Sequence, residues 1–261
     1  MKSSIRTQIT KLLFRAIIVA LFAFLLLPIL VVVVTSFTAE SFPTIPYDGI
    51  SFTWYGEFLS DQDLLHALMV SSIVATLAAF LATIVGTIAA IGFVRAEFRY
   101  KQEISTIMLL PMIISPVITG IALVRYFDTI RVSSGYPALV LGHTVLTLPF
   151  VFLLVRSELI TFDQDLERAS RVLGADPVTT FRYVTGPIIA PALLAGGFIA
   201  FVVSFGEFTA TQFLISPDTT TVPVIIYTML RTGLTPTINV LSVVLIIVML
   251  VLALLSRKLS S

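Results

Sequence analysis

Thr161-Phe162-Asp163-Gln164-Asp165-Leu166-Glu167-Arg168-Ala169-Ser170-Arg171-Val172-Leu173-Gly174-Ala175-Asp176-Pro177-Val178-Thr179-Thr180-Phe181-Arg182-Tyr183-Val184-Thr185-Gly186-Pro187 is a polar passage set between two apolar runs. It has the pattern of two short helices. Asp163 or Asp165 is placed to cap the first. Leu166, Ala169 and Leu173 then share a face at i, i+3 and i+7, with Glu167, Arg168 and Arg171 around it. Gly174 stands where a helix C-terminus favours a left-handed residue. Asp176-Pro177 restarts a second helix as N-cap and N1, and Val178 and Phe181 give it an apolar edge. Gly186-Pro187 is expected to end it. The passage is too polar for a bilayer core. Such a helix pair either lies on a membrane surface or is gripped by a partner, and pulling on it would move both flanking runs.

Outward from this passage the chain is overwhelmingly apolar. Of its 261 residues 57% are hydrophobic and only 12% are charged, where a soluble domain carries about a quarter charged residues. A mean hydropathy of +1.04 cannot be covered by the polar surface this sequence contains. A helix needs about 20 apolar residues to cross the hydrocarbon. Six stretches approach or reach that length: Ala16–Thr35, Ala67–Val94, Ile104–Val124, Ala138–Val155, Ile188–Phe205 and Ile238–Leu255. The sequence therefore predicts an all-α membrane protein with six transmembrane helices, one membrane domain over residues 1–261, and a cytosolic segment at 157–186 between spans four and five. The first run is longer than the apolar core of a signal peptide and lacks a small-x-small site, so it is expected to remain as a span. The second, fourth and fifth runs are rich in Ala, Gly, Ser or Thr, which lets helices approach closely in lipid. The bulky sixth suits contact with lipid.

Charge sets the expected orientation. Lys2, Arg6, Lys11 and Arg15 precede the first span, whereas the following loop holds Glu40, Asp48, Glu57, Asp61 and Asp63 and no Lys or Arg. The positive-inside rule places both termini in the cytoplasm, and only Arg125, Arg131 and Arg231 then fall outside. Phe52, Trp54, Tyr55 and Phe58 in the first loop suit the headgroup level, as an interfacial anchor or a docking surface. Pro111 and Pro116 in the third run and Pro149 in the fourth are either kinks or the lining of a translocation path.

Glu167-Arg168-Ala169, followed by Gly174 and Ala175, resembles the EAA loop of binding-protein-dependent ABC importer permeases, and Phe181 and Pro187 fit the same pattern. Arg168 stands where that family usually has alanine, and Gly186 where it has leucine. Ser51-Phe52-Thr53-Trp54-Tyr55, Leu148-Pro149-Phe150 and Ile225-Ile226-Tyr227-Thr228-Met229 are most similar to the permeases of spermidine/putrescine importers, and among these to the second permease subunit. The resemblance implies the type I ABC importer permease fold. It implies as partners a pair of cytosolic ATP-binding subunits, a second homologous permease and an extracytoplasmic substrate-binding protein, in the cell membrane of a prokaryote. It also assigns Glu167, Ala169, Gly174, Ala175 and Phe181 to coupling with the ATPase.

The chain itself has no G-x-x-x-x-G-K-[ST] and no H-E-x-x-H. It has no cysteine, and its net charge of +1 gives no basis for binding nucleic acid. No catalytic residue, metal or cofactor is expected, and ATP hydrolysis would belong to another polypeptide. Glu207, after Ser204-Phe205-Gly206, is the candidate pathway residue together with Pro116. An acid in or near a span is costly and faces a partner or water, so Glu207 is either a pathway group or one half of a structural pair. Its surroundings, Gly206-Glu207-Phe208-Thr209-Ala210-Thr211, also resemble permeases for oxyanions and ferric iron, which leaves polyamines, ferric iron, thiamine and oxyanions as substrate classes. His143 is expected to be a hydrogen-bonded structural residue rather than a proton relay, and Arg125 and Asp128 a local i,i+3 pair. A secondary transporter would need more intramembrane acids than Glu207. An intramembrane enzyme would need paired catalytic groups that are not present.

Overall fold

The computed structural model describes residues 2–40, 49–233 and 235–260. Asp48, one of the acids used to orient the first loop, lies outside them. The described residues are almost wholly helical. With no water in the bilayer core, a helix is the element that satisfies its own backbone there. The chain packs as two compact units, residues 1–61 with 229–248 and residues 62–228 with 249–261.

In the first unit, helix α1 (Lys2–Thr35) extends the expected first span back through the basic tail. Its apolar window is unburied, as suits a helix facing lipid or another subunit. The chain then turns back on itself. Ser51 donates its N–H to Phe37 O at 2.8 Å, Trp54 Nε1 donates to Thr38 O at 3.0 Å, and Ser36 and Tyr55 hydroxyls share a hydrogen bond of 2.9 Å. Phe37 stacks on Tyr55 with ring centroids 5.3 Å apart. The loop aromatics thus fasten α2 (Thr53–Ser60) to the end of α1.

The second unit is built on three long helices, α3 (Gln62–Arg95), α6 (Tyr136–Thr161) and α9 (Gly186–Gly206). Their shared core runs through Ala82, Ala90, Phe93, Val151, Phe152, Val155, Ile189 and Ala200. Small residues allow this closeness: a Cβ on Gly86 would lie 3.0 Å from Val151 Cβ, and one on Gly196 would lie 3.2 Å from Val151 Cα.

The third expected span differs from its sequence reading. Instead of one kinked helix there are two, α4 (Lys101–Ile113) and α5 (Pro116–Thr129), bent by 108°. Pro116 is the cause. It forces the residue before it out of helical conformation, and Ile114 and Ser115 both take ψ near extended values, 140° and 133°. Pro111 lies inside α4 without ending it. Five helices are therefore long and apolar enough to cross a membrane, and the bent pair counted as one broken span makes six. Short helices α7 (Asp165–Val172), α8 (Pro177–Thr180), α10 (Thr211–Leu214) and α11 (Val222–Thr232), with the final α12 (Thr237–Ser260), complete the chain.

Candidate coupling segment and helix break

The polar passage folds as two capped helices. Asp163 Oδ1 accepts the N–H of Asp165 at 2.9 Å, so Asp163 supplies the start of α7, and Asp165 pairs with Arg168 at 2.9 Å instead. At the other end Gly174 has φ +88°. Its N–H reaches Arg171 O at 2.9 Å and the next N–H, of Ala175, reaches Ser170 O at 3.0 Å. These two bonds form a Schellman motif, which closes the last turn only when its C′ residue is left-handed. Asp176 then caps α8, accepting Thr179 N–H at 2.9 Å. Hydrogen bonding from Thr179 holds the Asp176 carboxyl below its usual range.

The side of α7 that turns inward is not the expected apolar one. Glu167 is the buried residue of this helix, 3% exposed, whereas Leu166, Ala169 and Leu173 all lie open. The buried carboxylate fixes the choice. Arg95, at the end of α3, donates to Glu167 Oε1, and the Thr185 hydroxyl donates to the same oxygen. Arg171 approaches Oε2 at 3.9 Å. A buried carboxylate demands such partners, and only this side of α7 provides them. Ser170 and Thr180 hydroxyls, 2.8 Å apart, tie α7 to α8. Val172, Leu173 and Val178 remain 87%, 88% and 71% exposed, three apolar side chains open on a segment rich in charged and polar residues.

Gly186-Pro187 does not end the second helix. α8 passes through a π-helical turn, Phe181–Thr185, straight into α9. The wide turn is marked by Gly186 N–H donating to Phe181 O, five residues back. A Cβ at Gly186 would stand 2.7 Å from that oxygen, so glycine is what permits the turn. Proline follows without breaking the helix because the register shift has already interrupted the ladder at this point. Phe181 opens the turn and is 39% exposed, and Ala175 is half-buried between the two short helices.

Glu207 lies at the far end of α9, about 30 Å away along a 21-residue helix. It occupies a break between α9 and α10. Its Oε1 accepts Ala210 N–H at 2.7 Å, while Oε2 has no hydrogen-bond partner among the described residues. Thr211 Oγ1 donates to Glu207 O at 2.7 Å. The same hydroxyl lies 2.9 Å from His143 Nε2, and Ser204 Oγ lies 2.8 Å from His143 Nδ1. Because the Thr211 proton is committed to Glu207 O, it accepts from His143, which places the imidazole proton on Nε2 and makes Ser204 the donor to Nδ1. His143 thus links the break to the end of α9 through two hydroxyls.

Pro116 is exposed at the start of α5. One turn later Gly120 packs against the break, where an added Cβ would be 3.0 Å from Ala210 Cα. The structure therefore gathers Glu167, Gly174, Ala175 and Phe181 in one segment and leaves Glu207 and Pro116 elsewhere. Arg125 and Asp128 form no ion pair among the described residues. Both line a cavity of about 350 Å³ with Ser133, Ser134 and Phe213. Sequence reasoning missed Arg95 and Thr185 as partners of Glu167. A buried acid signals that a cation must be near, but spacing does not say which.

A family model for the inner membrane component of binding-protein-dependent transport systems matches residues 82–260, a stretch that holds the capped helix pair, the π-turn and the break. The chain belongs to this family. It is 30% identical to the spermidine/putrescine transport system permease protein PotC of Haemophilus influenzae, over 93% of this chain and 94% of that one. It is 33% identical to the putrescine transport system permease protein PotI of Escherichia coli K12, over 85% and 81%. A solved chain of the bacterial alginate ABC transporter, in complex with an alginate pentasaccharide-bound periplasmic protein, superposes with a TM-score of 0.74 at 17% identity, covering 95% and 93%. At that identity the likeness speaks for the fold, which is that of an ABC importer permease. The chain is thus a membrane-embedded permease subunit of a binding-protein-dependent transporter.

Proposed function

We propose that this permease carries polyamines of the spermidine/putrescine type inward by alternating access, driven by ATP hydrolysis in a separate pair of cytosolic subunits. The observation that carries the substrate class is Glu207, a carboxylate at a helix break whose second oxygen has no hydrogen-bond partner among the described residues. A break in a membrane helix is where transporters place substrate sites, and a free carboxylate oxygen favours an ammonium and repels an anion. The likeness to PotC and PotI over most of the chain supports the same class. The other partners are a second homologous permease and an extracytoplasmic binding protein. Glu167, Ala169, Gly174, Ala175 and Phe181 belong to the ATPase coupling segment. The exposed Val172, Leu173 and Val178 support this reading, because large apolar side chains left open on a segment outside the spans suit docking. ATPase closure then pulls the segment, and the continuous helix from Pro177 to Gly206 passes the movement toward Glu207 and, through α10, to Pro116 on α5.

Spermidine uptake into cells carrying the complete transporter tests the substrate class. Glu207→Gln should slow uptake about tenfold, the equivalent of about 1.4 kcal/mol in the barrier, with Glu207→Asp milder. Unchanged uptake in Glu207→Gln would remove the residue from the pathway, and transport of an anion by the parent would remove the polyamine. The membrane orientation is tested separately. The chain has no cysteine, so a single Cys at Asp61 should react with an impermeant thiol reagent from outside and one at Asp176 should not. The opposite pattern would invert the topology.

A further inference from the structure

We infer that the chain holds the phosphate headgroup of an anionic phospholipid between α3, α4 and α6. A cavity of about 440 Å³ there is lined by Phe93, Lys101, Gln102, Ser105, Thr106 and Arg156. Lys101, Gln102, Ser105 and Arg156 bring hydrogen-bond donors to that lining, two of them cationic; the Thr106 hydroxyl donates to Gln102 O at 3.0 Å, and none of the lining side chains is a carboxylate. Both cations stand against one aromatic ring: Arg156 Cζ is 4.6 Å from the Phe93 centroid and Lys101 Nζ 5.3 Å. Neither has a carboxylate partner among the described residues. Arg156 spends one of its donors on Ser105 Oγ at 3.0 Å, and Lys101 one on Ala96 O at 3.2 Å. Their remaining N–H groups have no acceptor among the described residues.

Two like charges held on one ring repel each other, and an anion between them removes that cost. The first turn of the 13-residue α4 carries Glu103, outside the cavity lining, and also contributes uncapped amides. Its first amides have no intrahelical acceptor and no side-chain cap. The ligand class follows from this donor set: a phosphate oxyanion, which accepts several hydrogen bonds and carries the opposite charge. The surroundings favour a lipid as its source. Phe93 and Arg156 lie near the ends of the apolar helices α3 and α6. Beside the cavity α4 presents Ile104 and Ile107, 41% and 61% exposed, an apolar surface on which acyl chains can lie. Basic cavities between membrane helices at the cytoplasmic face are a recurrent site for anionic headgroups. The inference is independent of the substrate class and of the coupling role.

Native mass spectrometry of the full chain in detergent, titrated with phosphatidylglycerol or phosphatidylcholine, tests it. Phosphatidylglycerol should bind the parent more tightly than phosphatidylcholine. Each charge removed should weaken it about fivefold, so Lys101→Gln should lose about fivefold and Lys101→Gln/Arg156→Gln about 25-fold. Arg156→Lys keeps the charge and should stay within about twofold of the parent. It stays informative if the double variant misfolds, as does Lys101→Gln alone. Arg182→Gln removes a cation that also stands over a ring, that of Tyr183, but outside this cavity, and should bind as the parent does. Equal phosphatidylglycerol affinity in the parent and Lys101→Gln would overturn the site. Displacement of the lipid by millimolar inorganic phosphate, with no preference for phosphatidylglycerol over phosphatidylcholine, would overturn the lipid as its occupant.

Discussion

Glu167, on α7, and Glu207, just past α9, flank the continuous Pro177–Gly206 helix in sequence and are treated oppositely by the fold. Glu167 is 3% exposed, meets two guanidinium groups and a hydroxyl, and joins the end of α3 to α7 and the π-turn. Glu207 is half-exposed, meets no cation among the described residues, and uses one oxygen to cap a backbone N–H. The first carboxylate is consumed by structure. The second keeps half its accepting capacity. The difference shows why an acid in a membrane protein cannot be assigned a role by its presence alone. What matters is how many of its lone pairs the protein already occupies.

The contrast breaks most visibly at Glu167. Glu167→Gln leaves Arg95 facing a neutral amide, and Thr185 loses its charged acceptor. Removing one partner of a buried pair costs about 3–5 kcal/mol. Arg95 is 27% exposed and recovers some hydration, so the lower end, about 3 kcal/mol, is expected. The thermal midpoint of the purified chain should fall accordingly. A double-mutant cycle with Arg95→Gln should show strong coupling, because the two residues share one interaction. Additive losses would mean that the pair contributes little.

Between the two carboxylates runs the helix that joins them, and Gly186 sets its register. Gly186→Leu restores the residue the EAA pattern usually carries, but its Cβ would lie 2.7 Å from Phe181 O. The π-turn must then open or revert to α-helical pitch, which rotates the coupling segment against α9. Strain of about 1–3 kcal/mol is expected, with a larger relative loss of uptake than of stability. Hydrogen exchange at position 186 should speed up if the turn opens and stay slow if it reverts to α-helical pitch, where the amide bonds Arg182 O instead. Full uptake in Gly186→Leu would show that the wide turn is incidental to transport.

Features that depend on neighbours in sequence were open to reading. The apolar runs announce the spans, and Gly174 and Asp176 announce the ends of α7 and α8 by their own backbone and side-chain chemistry. Features that depend on distant residues were not. Glu167 and Arg95 are 72 positions apart, so the side of α7 that turns inward could not be read from its apolar face. The 108° bend was only half legible. Pro116 marks a break, but the angle is set by what α5 packs on, including Ala210 in the helix break. The π-turn was missed because Gly-Pro ordinarily ends a helix, and the wider ladder that absorbs it leaves no periodic signature in five residues.

The mildest change sharpens the comparison most. Glu207→Gln removes a charge while keeping a carbonyl oxygen that can still accept Ala210 N–H, so the cap at the break survives. The hydrogen-bonded run Ser204–His143–Thr211–Glu207 O uses the Glu207 backbone and is untouched. No buried cation is left unpaired, in contrast to Glu167→Gln. The stability change should therefore stay within about 0.5 kcal/mol, the range of substitutions that disturb no buried network. The same variant is expected to slow polyamine uptake about tenfold. Measuring thermal midpoint and uptake on one preparation separates the two roles of the residue. A large drop in midpoint would show that the Glu207 charge is structural after all, and the two carboxylates would then differ in partners but not in kind. Slow uptake at an unchanged midpoint would leave the free oxygen as the cause.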